Sequence, residues 1–146
     1  MAKENKSLNQ ARHNNEAIKY LDRSPDHLDW VITICFYSSL HYVRSKIFPK
    51  ILKSDNGGSF KVNSIDEYCR HVKKGKVFVS KHEHLLILVS DQCSEISWEY
   101  NQLMDMSTTA RYTDYVTDRE MSNKAKAFHK KIKTFCDPDE MLERKV

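Results

Sequence analysis

Residues 28–43 read Leu-Asp-Trp-Val-Ile-Thr-Ile-Cys-Phe-Tyr-Ser-Ser-Leu-His-Tyr-Val, and no other part of the chain constrains the fold as much. At helical spacing one stripe is Leu28, Val31/Ile32, Cys35, Ser39 and Tyr42/Val43. A second is Trp30, Ile34, Tyr37, His41 and Phe48. A helix that is apolar on most of its sides has to be surrounded by others. The spacing therefore predicts a central, buried helix over about residues 26–48. Ser24-Pro25-Asp26 starts it, with Asp26 and Asp29 at the positive end of the dipole, and Pro49 ends it.

The remaining periodic segments supply its neighbours. A first helix is expected over about residues 8–22, after a frayed stretch 1–7, with Leu8, Ala11, Ala17, Ile18 and Leu21 apolar. Ser54 to Ser59 reads as an exposed loop and lacks the Gly-Lys-Ser/Thr ending of a phosphate loop. Ser64-Ile-Asp-Glu67 resembles a capping box and starts a helix to about Lys74, with Gly75 as its cap. Val77-Phe78-Val79 reads either as a short strand or as the start of the next element. A long helix is expected over about residues 82–107, with Leu85, Val89, Cys93, Ile96, Tyr100 and Leu103 facing the core. A last one covers about residues 118–135, with Met121, Ala125, Phe128, Ile132 and Phe135 inward, and Asp137-Pro138-Asp139 stops it. Only three prolines and three glycines interrupt the 146 residues, which favours long helices over many-turned β structure. The fold class read from this is all-α: a single domain over residues 1–146, built as a four- to five-helix up-down bundle, with an ordered core at about 8–136 and polar tails.

Charge and cysteines exclude several classes. The net charge of +4 permits nucleic-acid binding without arguing for it strongly. No stretch approaches the roughly 20 apolar residues of a membrane helix, and Met1 to Gln10 has no apolar leader segment. The expected location is the cytoplasm, with no membrane partner. Cys35, Cys69, Cys93 and Cys136 are widely spaced and are expected as thiols in or near the core. Cys69-x-His71 and His82-x-His84 lack the spacing of a zinc site, so no metal and no cofactor are expected.

Two blocks carry a family resemblance. Trp30, Phe36, Tyr37 and His41 follow a Trp-x5-Phe-Tyr-x3-His pattern. Tyr100, Leu103, Ser107, Ala110, Arg111 and Tyr112 follow Tyr-x2-Leu-x3-Ser-x2-Ala-Arg-Tyr. With Arg12-His13-Asn14 on the first helix, the chain resembles a branch of HEPN-like bacterial proteins over roughly residues 12–130. The resemblance implies a HEPN-like helical bundle that dimerises through its core helices. It also implies either an RNA- or nucleotide-binding role, with metal-independent RNA cleavage in toxin–antitoxin or phage-defence systems among its activities, or a non-catalytic adaptor acting with a partner protein. The Arg-x4-6-His motif of the catalytic members is absent. Arg23 and His27 have three residues between them, Arg119 and His129 have nine, and Arg111 has no histidine four to six positions on. Whether the chain is an enzyme is therefore left open by its sequence.

The candidate catalytic residues are His41, a general acid or base if a partner tunes it, and Arg111, whose planar fork of donors suits a phosphate. The plainer readings are a core histidine satisfied by a neighbouring tyrosine or carboxylate, and an arginine bonding the last helix carbonyls or a carboxylate. Tyr37, one turn before His41, and Tyr112 are candidate substrate contacts. Arg70, Lys73 and Lys74 belong to a basic run continuing through Lys76, Lys81, His82 and His84, with Phe78 inside it, which could bind nucleic acid or form a solvated face. The lysines of the last helix, Lys124, Lys126, Lys130, Lys131 and Lys133, read as a solvated face.

Overall fold

The computed structural model describes residues 5–72, 79–112 and 118–138. Helix α1 (Lys6–Leu21) leads through a 3-10 turn, Pro25–His27, into α2 (Leu28–Ile47). A short hairpin follows, β1 (Lys50–Lys53) and β2 (Ser59–Val62), then α3 (Ile65–Val72) and α4 (Lys81–Gln92). A second 3-10 turn, Ser94–Ile96, precedes α5 (Ser97–Tyr112), and α6 (Arg119–Cys136) closes the bundle. The architecture is all-α apart from the hairpin.

Helix α2 lies at the centre. It packs against α1, α5 and α6, and α5 and α6 pack on each other. Val31, Ile32, Cys35, Phe36, Leu40, Tyr42 and Val43 of α2 are all buried, because every side but one meets a neighbour. Burying aromatic and aliphatic side chains of this size contributes about 1.5–3 kcal/mol each. Helices α1 and α6 run in opposite directions, as their ion pairs require. Arg12, early in α1, holds Asp137 just past α6 through two bonds of 2.8 and 2.9 Å. Asp22, just past α1, takes Arg119 at the start of α6 at 2.6 Å and Lys126 at 2.8 Å.

Several expectations are corrected. Helix α1 begins at Lys6, inside the stretch expected to fray, because the Asn5 side chain caps it by accepting from the Leu8 amide at 3.0 Å. The Ser54–Ser59 loop is the turn of a hairpin whose strands, only four residues each, are too short to show a periodicity. Gly57 adopts φ +88° there, and its amide donates to the Ser54 carbonyl at 3.1 Å. The capping box at Ser64 forms with a shift. Ser64 Oγ accepts from the Glu67 amide, while the Glu67 carboxylate returns to the Asn63 amide at 2.8 Å. Gly75 and Phe78 lie outside the described residues, and Val79 has no regular structure.

The long helix expected over 82–107 is broken. Cys93 leaves helical geometry at φ −129°, ψ 46°, its amide caps α4 through Val89, and α5 starts only at Ser97. Every residue of the anticipated stripe is nevertheless buried, because the 3-10 turn keeps Cys93 and Ile96 facing inward. The buried stripe of α6 is Ser122, Ala125, His129 and Ile132 instead of one built on the large apolar residues. Met121 is exposed, and Phe128 and Phe135 are only half-buried. Small side chains and a histidine line the α2–α6 contact.

No helix among the described residues is long and apolar enough to cross a membrane. All four cysteines are free. Burial pushes the Cys35 and Cys136 thiols up to about 12.

Candidate functional site

The one side of α2 left uncovered carries Trp30, Ile34, Tyr37, His41 and Arg44, which recur at helical spacing and are partly or fully exposed. The last turn of α5 meets this stripe. The Arg111 guanidinium donates from Nη1 to the Tyr37 hydroxyl at 2.6 Å and from Nε to the Ser107 carbonyl at 3.3 Å. Its carbon lies 5.4 Å from the centroid of the Tyr37 ring and 5.0 Å from that of Tyr112. Arg111 makes no ion pair with a carboxylate among the described residues, and three of its five N–H groups remain for another acceptor. Tyr112 is 71% exposed beside the arginine, and Trp30, two turns before Tyr37 on the same helix, is 55% exposed.

His41 sits one turn beyond Tyr37 and half-buried. Burial, reinforced by the Arg44 charge, holds its imidazole below the ordinary value. His82, in the first turn of α4, joins from the other side, with its ring 6.2 Å from that of Phe36. Burial and then the charges of Arg44, Arg111 and Lys81 lower it too. Both imidazoles are therefore biased towards the neutral, proton-accepting form at neutral pH. No hydrogen bond or ion pair joins His41 to Arg111, so the two expected catalytic residues share a face without touching.

Beneath the face lie hydroxyls with no hydrogen-bond partner. Tyr100, 5.8 Å from Phe36 between ring centroids, buries its hydroxyl unpaired, as does Ser107. Arg44 Nε is likewise enclosed without an acceptor. Buried polar groups are paired in the large majority of cases, so such orphans call for a cause.

Of the described residues of the basic run, His82 reaches the face, whereas Arg70 does not. Arg70 is exposed on α3 and lines a separate hollow with Leu52, Phe60 and His71. Lys81 is ion-paired to Asp66 at 2.6 Å. Lys73, Lys74 and Lys76 lie outside the described residues. On α6, Lys124, Lys126 and Lys131 hold Glu120, Asp22 and Glu99. No group of three metal-ligating side chains occurs among the described residues.

Sequence reasoning passed over two members of the face. Arg44 falls on the Trp30–Tyr37–His41 stripe and could have been found by extending it one turn. His82 was grouped with its lysine neighbours, and nothing in the sequence ties it to Arg111.

A different histidine fills a structural role. Nε2 of His129, within the core, lies 2.9 Å from Ser38 Oγ, which itself donates to the Ala11 carbonyl at 2.9 Å. The serine proton is thus committed to the backbone, and the imidazole N–H donates to the serine oxygen. Burial lowers His129 to about 4. The pair resembles a nucleophile and its base only in composition, because the proton runs the wrong way and solvent has no access.

No family model matches the chain, and no curated protein or solved structure matches it either.

Proposed function

We propose that the Tyr37–Arg111 face binds single-stranded RNA, with Arg111 on a backbone phosphate and Tyr112 and Trp30 stacking on bases. The observation that supports this reading is Arg111 itself. It is fixed by Tyr37 and Ser107, flanked by two rings, and paired with no carboxylate among the described residues. A preorganised guanidinium beside exposed aromatic surface suits a phosphate and its neighbouring base. The resemblance to HEPN-like proteins agrees with this choice of ligand, and the family assignment is part of the proposal.

Metal-independent cleavage is the sharper form of the same reading. A neutral His41 would take the proton of a ribose 2′-hydroxyl, the oxygen would attack the adjacent phosphorus, and the 5′ oxygen would leave with a proton from water. The test is anisotropy of a labelled RNA oligonucleotide, with cleavage of the same RNA followed in EDTA. It uses the wild type beside folded Arg111→Ala and His41→Ala variants. Saturable binding lost in Arg111→Ala supports the face. Equal binding by that variant removes the reading, and intact RNA removes cleavage alone.

The second reading, a non-catalytic docking domain forming a homodimer or holding a partner protein, is favoured by Trp98. This side chain is 59% exposed and packs edge-on against Phe128, 5.4 Å between centroids, beside a hollow lined by Ile96, Ala127 and Phe135. Sedimentation over a range of concentrations, with Trp98→Ser as the comparison, tests the homodimer.

A further inference from the structure

A second cationic concavity opens further along the same helix. Arg44 of α2, Lys6 of the first turn of α1 and Lys61 of β2 line a hollow of about 450 Å³, together with Asn63, Phe48 and Pro49. The three cations come from positions 6, 44 and 61 and meet only because α1, the end of α2 and the hairpin converge there. None of them forms an ion pair among the described residues. The carboxylate on which Arg44 acts electrostatically, Asp66, is bound to Lys81. Like charges drawn together without a counterion repel one another, and Arg44 Nε–H is enclosed with no acceptor. A tetrahedral oxyanion answers the uncompensated charge, supplying negative charge to the three cations that line the hollow.

We propose that this hollow is a phosphate-binding site, holding the oxyanion of a phosphate ester between Arg44, Lys6 and Lys61. The site shares Arg44 with the RNA face and adds Lys6 and Lys61, which that face does not use. Its phosphate has two sources. One is the backbone of a strand lying along α2, since Arg44 is seven residues, or about 10 Å, beyond Tyr37. The other is a free phosphate monoester.

The experiment is an amide-resolved NMR titration of the full chain with inorganic phosphate at constant ionic strength, with chloride as the control, followed by titration with a short RNA. The variants are Lys6→Ala/Lys61→Ala, both at exposed positions, and Arg44→Gln. Saturable shifts at Lys6, Ser7 and Lys61, with affinity lowered at least tenfold in both variants, are expected. Shifts that are linear in phosphate, matched by chloride, or unaltered in the double variant overturn the site. Competition between RNA and phosphate, with the salt slope of RNA binding reduced by about 1.4 in the double variant, identifies the strand as the source. Absence of competition identifies a free ester. Loss of RNA binding in Arg111→Ala bears on the RNA face alone, so the two proposals fail separately.

Discussion

Tyr37 and Ser38 are adjacent on α2 and belong to two different kinds of polar chemistry. Ser38 faces inward, where its hydroxyl, the Ala11 carbonyl and His129 form a closed chain of hydrogen bonds under the Tyr42 ring, 6.0 Å from the imidazole. Tyr37 faces the uncovered side, where Arg111 keeps donors in reserve and Arg44, Tyr100 and Ser107 carry buried groups without partners. A closed network specifies packing, and removing one member strands the others. An incomplete one costs stability in the free protein and is expected where a ligand completes it. Residue type does not separate the two, since each side has a histidine, a tyrosine and a serine, and one core hydroxyl, Ser39 Oγ, is also without a partner.

The largest effect should come from the closed side. His129→Ala leaves Ser38 and a cavity behind, and is expected to lower unfolding free energy by about 3 kcal/mol in denaturant titration. A change under about 0.5 kcal/mol, the ordinary scale of a surface substitution, would break the comparison.

Acid acts through the same residue. The folded-state value of His129, about 4, lies below the ordinary 6.5, so its contribution is complete above pH 6.5 and is lost as pH falls towards 4. The full shift corresponds to about 3 kcal/mol. The lowered carboxyls of Asp22, Asp66 and Glu99 add to the loss in the same direction at lower pH. Stability measured between pH 7.5 and 4.5 should fall, and His129→Gln should flatten the upper part of that curve.

On the open side the order of effects reverses. Arg111→Ala should weaken RNA binding about tenfold, near 1.4 kcal/mol, while shifting unfolding by no more than about 0.5 kcal/mol. A destabilisation as large as that of His129→Ala would mean that Arg111 is structural. Tyr112→Ala, at an exposed ring, should weaken RNA binding about fivefold, the low end of base stacking, with no change in melting temperature.

The central helix was legible because its apolar residues cover nearly every side, a pattern that one arrangement satisfies. The inward positions of residues 85–103 were legible for the same reason, although the helix carrying them is broken. Side-chain periodicity survives a 3-10 turn, whereas the break itself depends on how Cys93 and Ile96 settle in the core. The face of α6 was misjudged in part by weighing size. Ala125 and Ile132 are buried as expected and Phe128 and Phe135 pack partly on the core, but Met121 is exposed, and Ser122 and His129 fill the stripe instead. The hairpin left no signal, because its four-residue strands are shorter than two full alternations can establish. At the candidate site, Tyr37, Arg111 and Tyr112 were named from sequence and do meet. Arg70 was placed by charge alone, and charge does not say which face a residue occupies.

The interruption between α4 and α5 has a kinetic consequence. A continuous helix would tie His82 directly to α5, whereas the turn at residues 94–96 separates them, and α3 with α4 is expected to open before the rest of the bundle. Amide exchange should then be faster in α4 than in α2. Each such opening would carry His82 away from Arg111 while Arg111 stays on Tyr37, so the face has one movable component set against a fixed one.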